Sequence, residues 1–516
     1  MLKYKNALCF VFIFFLFAGL HAQEKKISLT LEECITKSMR NNLNVAVEVL
    51  NPELADISIS LAREKFLPTL TFDYYLQDRE EPSFSLIEVA GSVQADYTDY
   101  IGRIRQLIPT GADFSISLYS YRRESNLRYQ TYNPRYTSIL SFDFTQPLLK
   151  NFGFKMSRRE IIVAKNSMEI SENQFKGILM DTVYEVESAY WSLVFSLEDL
   201  NAKKQSLEWA RNFLAKNKRE VEVGTLAPIE ILSAESEVAT READILQAEA
   251  EVKNREDQLK TMINLASEEG GMDAEVMPVD KPDFTKKEVS LEEALEMALQ
   301  NRPDLYGIRA DINNKKINLT YAKNQLLPEL NLIASYWSPG ISGTELLYDP
   351  NDPLGDPIGS LPGGAMDSFK DAFNFKFRNW SVRLTLNVPL NTMFSRAQQA
   401  QARTELDQSR LRFKNQEQQV ILEVKNAVRA VETNYKRFQA YMAARKLAEK
   451  ALEAEEKKLK VGLTTHYTVL QYQRDLANTI SGELRAVIDY NLSLAQLDKV
   501  MGVSLKNKNI KFSIFE

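Results

Sequence analysis

Two hydrophobic periods alternate along this chain. Leu31, Ile35, Met39 and Leu43 recur at four-residue steps, as do Leu291, Leu295 and Leu299, the spacing of a helix with one apolar stripe. Pro68 and Pro328 end these stretches, because proline disfavours helical geometry in the residue before it. The period then drops to two. Leu70, Phe72, Tyr74 and Leu76 alternate with Thr71, Asp73, Tyr75 and Gln77, and Leu140, Phe142 and Phe144 with Ser141, Asp143 and Thr145. In the second half Val382, Leu384, Leu386 and Val388 alternate with Arg383, Thr385 and Asn387. Such runs predict strands with one apolar and one polar face. An additional hairpin is predicted between Asp96 and Arg122, turning at Pro109-Thr110-Gly111, and the Gly- and Pro-rich stretch from Ser338 to Asn379 reads as a long exposed loop.

Beyond the strands the chain is helical. No proline follows Pro389 and no glycine interrupts Asn391 to Val461, so some seventy residues of helix are predicted there, about 105 Å long. Lys155 to Val223 matches it in the first half, with Gly177 the one interruption. The return helices, Ile229–Leu265 and Tyr467–Val500, are half as long. The opening helix, Leu31–Leu67, and the first return helix together come close to the length of one long helix, so two short helices set end to end beside a long one are the economical packing. Leu193, Leu197, Leu200 and Leu207, with Val424, Val428, Val431 and Tyr435, supply the seam.

The order is written twice. Leu31-Glu32-Glu33 recurs as Leu291-Glu292-Glu293, and Leu67-Pro68 as Leu327-Pro328, both 260 residues on. Pro147-Leu148 recurs as Pro389-Leu390 and Val223-Gly224 as Val461-Gly462, at spacings of 242 and 238. Internal repetition of this kind makes each half one structural unit. The division is a leader at 1–22, a first repeat at 23–266, a linker at 267–287, a second repeat at 288–504 and a tail at 505–516. The leader has Lys3 and Lys5, an unbroken apolar run from Ala7 to Leu20 and a small residue, Ala22, before the expected cut. Fourteen apolar residues are too few to span a bilayer but suit a secretory signal.

Composition then removes chemistry. The chain has two histidines and two cysteines, and cleavage before Gln23 leaves one of each, His466 and Cys34. No disulfide within the chain, no Cys/His zinc site and no metal or other cofactor is expected, and any His-dependent triad would rest on His466 alone. The paired acids Glu32-Glu33 and Glu292-Glu293 sit in first helical turns, where the dipole and capping account for them. No enzyme is predicted. With 64 basic against 70 acidic residues there is no basic excess for nucleic acid. An exported chain with apolar-out, polar-in strands points instead to a β-barrel in outer-membrane lipid, since only helices and closed barrels satisfy the backbone there. Four clear strands cannot close a barrel, so several copies must share one. Tyr74, Tyr75, Tyr119, Tyr121, Trp337 and Trp380 are candidates for an interfacial aromatic belt.

The duplicated motifs, LEEC and LEEA at the openings, LPTL at 67–70 and LPEL at 327–330, QPLL at 146–149 and NVPL at 387–390, VGTLAPIEIL at 223–232 and VGLTTHYTVL at 461–470, resemble the TolC-like outer-membrane efflux channel family over essentially the whole mature chain. The resemblance implies an α+β membrane protein whose duplicated helix–strand–hairpin units form, as a homotrimer, an outer-membrane β-barrel with four strands per copy, continued by a periplasmic α-helical barrel. It implies a passive exit duct meeting a periplasmic adaptor and an inner-membrane transporter. It carries Val223, Gly224, Thr225, Leu226, Val461, Gly462, Leu463 and Thr464 onto the adaptor-contact tips, and Pro68, Pro147, Pro328 and Pro389 onto the helix-to-barrel junctions. Family members narrow the entrance with an acidic ring six and nine residues after the second tip glycine. Here those positions hold Thr468 and Gln471, and Glu230 is the one acidic counterpart, so closure would fall to Glu230, Tyr467, Thr468 and Gln471 without a carboxylate ring. Two alternatives stay open at this stage: the outer-membrane component of type I protein secretion, and a pore-less periplasmic coiled-coil scaffold.

Overall fold

A computed structural model of the chain describes residues 26–83, 91–267, 272–282 and 284–510, so the expected leader and the last six residues of the expected tail lie outside the described residues. In chain order, β1 (Lys26–Leu29) leads to α1 (Leu31–Asn41), α2 (Leu43–Glu48) and α3 (Leu50–Glu64), then to β2 (Thr69–Pro82), β3 (Ser92–Leu107), β4 (Asp113–Ser125) and β5 (Tyr132–Pro147). A short α4 (Phe154–Ser157) precedes the long α5 (Arg159–Glu222), its return α6 (Ile229–Met262) and β6 (Glu275–Pro278). The second half repeats the plan with α7 (Leu291–Asn301), α8 (Pro303–Asn324), β7 (Glu329–Leu347), β8 (Gly359–Leu361), α9 (Ala365–Phe373) and β9 (Asn379–Asn387). It ends in the long α10 (Met393–Lys460), its return α11 (His466–Val500) and a short α12 (Ser504–Asn507). Among the described residues no helix is long and apolar enough to cross a membrane.

The opening helix of each half is broken where one continuous helix was expected. Asn42 leaves helical geometry, and its Oδ1 accepts the Asn44 amide at 2.8 Å, a local bond that competes with the helix ladder. Arg302, 260 residues later, is extended because Pro303 follows it. The same break is thus made twice by different chemistry.

Two compact units result. The first takes the described residues of Met1–Ala46, Leu179–Leu295 and Val424–Lys511. Its core sets Val183, Val186, Tyr190 and Leu193 of α5 against Cys34 and Ile35 of α1, Leu259 and Ile263 of α6 and Ile488 of α11. The predicted seam holds, with Leu200, Leu207, Val424 and Val431 buried and Leu197, Val428 and Tyr435 half-buried. Two short strands that alternation was too brief to reveal, β1 and β6, pair in parallel. Two buried tyrosines hold the linker beyond them. Tyr190 Oη accepts the Val279 and Asp280 amides at 3.1 Å, and Tyr490 Oη donates to Thr285 O at 2.8 Å and accepts the Lys287 amide at 3.1 Å.

The second unit, built from the described residues of Val47–Ile178 and Glu296–Glu423, carries one antiparallel sheet in the order β2-β3-β4-β5-β7-β9, with the short β8 beside the far end of β7. The hairpin predicted between Asp96 and Arg122 widens this sheet: β3 and β4 enter between β2 and β5, so the chain supplies six long strands where the resemblance implies four. Following the register, Leu70, Ile104, Ile116, Phe142, Tyr336 and Trp380 share one face, while Asp73, Ile101, Tyr119, Ser141, Trp337 and Arg383 share the other. Of the six belt candidates, only Tyr74 and Trp380 fall on the apolar face. Tyr75, Tyr119, Tyr121 and Trp337 fall on the polar one, because alternation puts them one residue out of phase.

The stretch from Ser338 to Asn379 is also more than a loop. It completes β7, adds β8 and folds α9 onto the apolar face of β5 and β7, with Ser138 Oγ and Ser368 Oγ 2.8 Å apart. Gly340 permits the approach: a Cβ there would lie 2.0 Å from Ser368 O. Pro147 ends β5, paired with Asn331, while Pro68 and Pro328 immediately precede β2 and β7 and Pro389 lies two residues beyond β9. One junction is locked by amides, since Asn324 Oδ1 accepts the Asn151 amide and Gln325 Nε2 donates to Asn151 Oδ1, both at 2.7 Å.

Candidate functional site

Each long hairpin reverses through the same glycine closure. α5 ends with Gly224 at φ +79°, and α10 with Gly462 at φ +75°, the left-handed geometry that suits glycine at a helix C-terminus. The Gly224 amide donates to Val221 O at 3.0 Å and the Thr225 amide to Glu220 O at 2.9 Å. In the second hairpin the Gly462 amide donates to Leu459 O and the Leu463 amide to Lys458 O, each at 3.0 Å. These paired bonds are the Schellman closure, which satisfies carbonyls the helix end leaves free. No atom crowds either glycine, so backbone conformation alone dictates the residue.

The return helices begin differently. Thr465 caps α11, its Oγ1 accepting the Thr468 amide at 3.3 Å, whereas Pro228 before α6 offers no side-chain cap. Thr468, expected at the constriction, therefore spends its amide and its hydroxyl, 2.8 Å from Thr465 Oγ1, on the cap. Around the turns Val223, Val461 and Leu463 are more than two-thirds exposed. Thr225 Oγ1 folds back to donate to Glu220 O at 2.9 Å, and Leu226 is half-buried. A hydrogen bond from Thr464, joined by Lys458 with its Nζ 2.9 Å from Glu455 Oε2, holds the Glu455 carboxyl below the ordinary range.

The remaining constriction candidates do not converge. Tyr467 and Gln471 are exposed and Glu230 half-exposed, and among the described residues no hydrogen bond or ion pair joins Glu230 to Tyr467, Thr468 or Gln471. His466 is where the two hairpins meet. Its Nε2 lies 3.4 Å from Glu220 Oε2, its ring packs 5.2 Å from that of Phe213, and its Nδ1 is buried with no partner. Beneath it Phe213, Ala234, Val469 and Leu470 form a small apolar cluster drawn from α5, α6 and α11.

Sequence reasoning missed the charged layer one further step from the turns. Glu237 and Arg241 of α6 are buried, with Arg241 Nε 2.9 Å from Glu237 Oε1 and Arg241 Nη1 donating to Ser206 O at 2.6 Å. Arg474 of α11 reaches the other Glu237 oxygen. Burial alone would push the Glu237 carboxyl up, but the hydrogen bonds from Arg474 and Arg241 outweigh it and hold the carboxyl below its ordinary value. The only sequence signal was the i, i+4 spacing of an acid and a base, which helix surfaces also show. Among the described residues no group of acids, histidines and cysteines could hold a metal ion.

A duplicated chain with twin turn tips on long hairpins, and a sheet with one apolar face and two open edges, defines the class of outer-membrane channel proteins. Residues 113–265 and 294–503 match the family described as outer membrane efflux protein, and the chain belongs to that family. That membership sets it in the outer membrane with a periplasmic extension. No curated protein matches the chain. In fold it is similar to the outer-membrane channel OprN, at 14% identity and a TM-score of 0.64 over 92% of this chain and 89% of that one. It is likewise similar to the CmeC outer membrane channel of Campylobacter jejuni, at 14% identity and 0.62 over 92% and 86%, and to the outer membrane protein VceC of Vibrio cholerae, at 12% and 0.62 over 92% and 96%.

Proposed function

We propose that three copies of the chain form a passive exit duct, passing small molecules from a periplasmic adaptor and an inner-membrane pump to the exterior. The observation that carries this reading is the twice-built tip. The same glycine closure presents Val223 in one hairpin and Val461 and Leu463 in the other, a repeated apolar surface of the kind a docking partner covers. No bond is made or broken in this role; the energy comes from the pump, and the duct contributes a path. Opening is a rearrangement of the hairpin ends, biased by whichever of two arrangements the adaptor binds better. His466 against Glu220 and Phe213 is the contact such a movement must alter.

Planar-bilayer recordings of the purified protein test this. The expected result is low conductance for the native chain and higher, sustained conductance for Glu237→Gln or His466→Ala, whose hairpin contacts are weakened. Absence of conductance in every tip variant, or recovery of the protein away from envelope membranes, would overturn the reading.

A further inference from the structure

The six-stranded sheet ends in two bare edges, and the chain holds the means to join them. β2 is exposed along all fourteen residues and β9 pairs only with β7, so among the described residues the outer edge of each has no partner. In lipid those edges cannot stay open, because every unpaired backbone group there costs several kcal/mol. Six strands are also too few to close on themselves.

Direction, slope and charge identify the missing partner as a second copy. β2 runs away from Pro68 and β9 runs back to Pro389, so β9 of one copy lies antiparallel to β2 of the next. The line of paired residues starting at Thr69 passes through Arg105, Ser115, Asp143 and Ser335 to Ser381, six residues short of the β9 end at Asn387. A six-residue stagger over six strand spacings is a tilt of about 35°, taking about 3.3 Å per residue and 4.8 Å per strand, as closed barrels require. Setting Thr69 opposite Asn387 levels the two junctions. That register places Asp73 against Arg383 on the polar face, and Leu70 against Leu386 and Phe72 against Leu384 on the apolar face. Neither Asp73 nor Arg383 has an ion-pair partner within its own chain among the described residues.

We propose that β2 of each copy pairs with β9 of the next in the Asp73-to-Arg383 register, closing a barrel of eighteen long strands. The total rests on the three-copy reading above. The β3–β4 hairpin is then a widening device: at constant tilt the circumference grows in proportion to strand number, about 1.5 times that of a barrel built from four strands per copy.

Cysteine pairs in the full-length protein, oxidised in native membranes, test the edge contact, while native mass spectrometry of the solubilised protein counts the copies. Asp73→Cys with Arg383→Cys is expected to give a covalent ladder to the trimer that neither single variant gives, and Thr71→Cys with Arg383→Cys at least tenfold less. Three copies without that ladder, or a bond within one chain in Thr71→Cys with Thr145→Cys, which would set β2 directly beside β5, overturns the proposal. A ladder with a copy number other than three overturns the total of eighteen and the three-copy reading together, leaving the edge pairing. Should the cysteine variants fail to assemble, reversing Asp73→Arg and Arg383→Asp together is expected to restore the heat-resistant oligomer that either reversal alone weakens; failure to restore it counts against the register.

Discussion

His466 Nε2 lies 3.4 Å from Glu220 Oε2, and this contact joins the first residue of the second return helix to the last turn of the first long helix. With its ring on Phe213 and largely shielded, the histidine is part of the tip rather than a surface ornament. A double-mutant cycle with His466→Ala and Glu220→Gln should show a coupling of about 0.5–1 kcal/mol. A coupling near zero would mean that the two side chains do not act together.

Glu237 anchors the charged layer beneath the tip. Glu237→Gln leaves Arg241 buried without its counter-charge, and such a break costs about 3–5 kcal/mol. Because the folded carboxyl is held below its ordinary value of 4.5, its stabilisation is present above that value and is lost as pH falls through the lower folded value. Denaturant melts of the native protein should therefore weaken below about pH 4.5, and those of Glu237→Gln should show a shallower decline over the same range.

The turn glycines are required by backbone angle and not by space. Gly224→Ala and Gly462→Ala should each cost about 1–2 kcal/mol of local stability, seen as faster amide exchange in the flanking turns, with the helices above unchanged. Unaltered exchange would mean that the turns adopt another closure.

Cys34 is wholly buried in the helical core, and desolvation pushes its thiol up to about 12. Thiolate, not thiol, is the nucleophile. A maleimide reagent at pH 8 should leave Cys34 of the folded protein unmodified and label it in denaturant. Rapid labelling of the folded protein would show that α1 opens readily.

Legibility in the sequence followed the length and repetition of each signal. The long helices were visible because some seventy residues with no proline and at most one glycine favour one continuous helix, and the last strand of the second half because four apolar residues alternate without a fault. The breaks at Asn42 and before Pro303 were not, since apolar spacing runs straight through them. The turn tips were found through a duplicated Val-Gly, whereas Glu237, Arg241 and Arg474 were invisible: their partners lie on different helices, and a single sequence does not say which helix faces meet.

By itself the sequence determined the duplication, the two periods and the four prolines where one period yields to the other, because these follow from local sterics and from burying one face of each element. Only the tertiary structure decided that the hairpin near Ile101 to Leu118 enters the sheet, that β1 and β6 pair, and that the stretch after Ser338 folds a helix onto β5 and β7. Strand order is a matter of which backbone groups find partners far along the chain, and side-chain alternation is the same whether a strand stands at an edge, in the middle or apart.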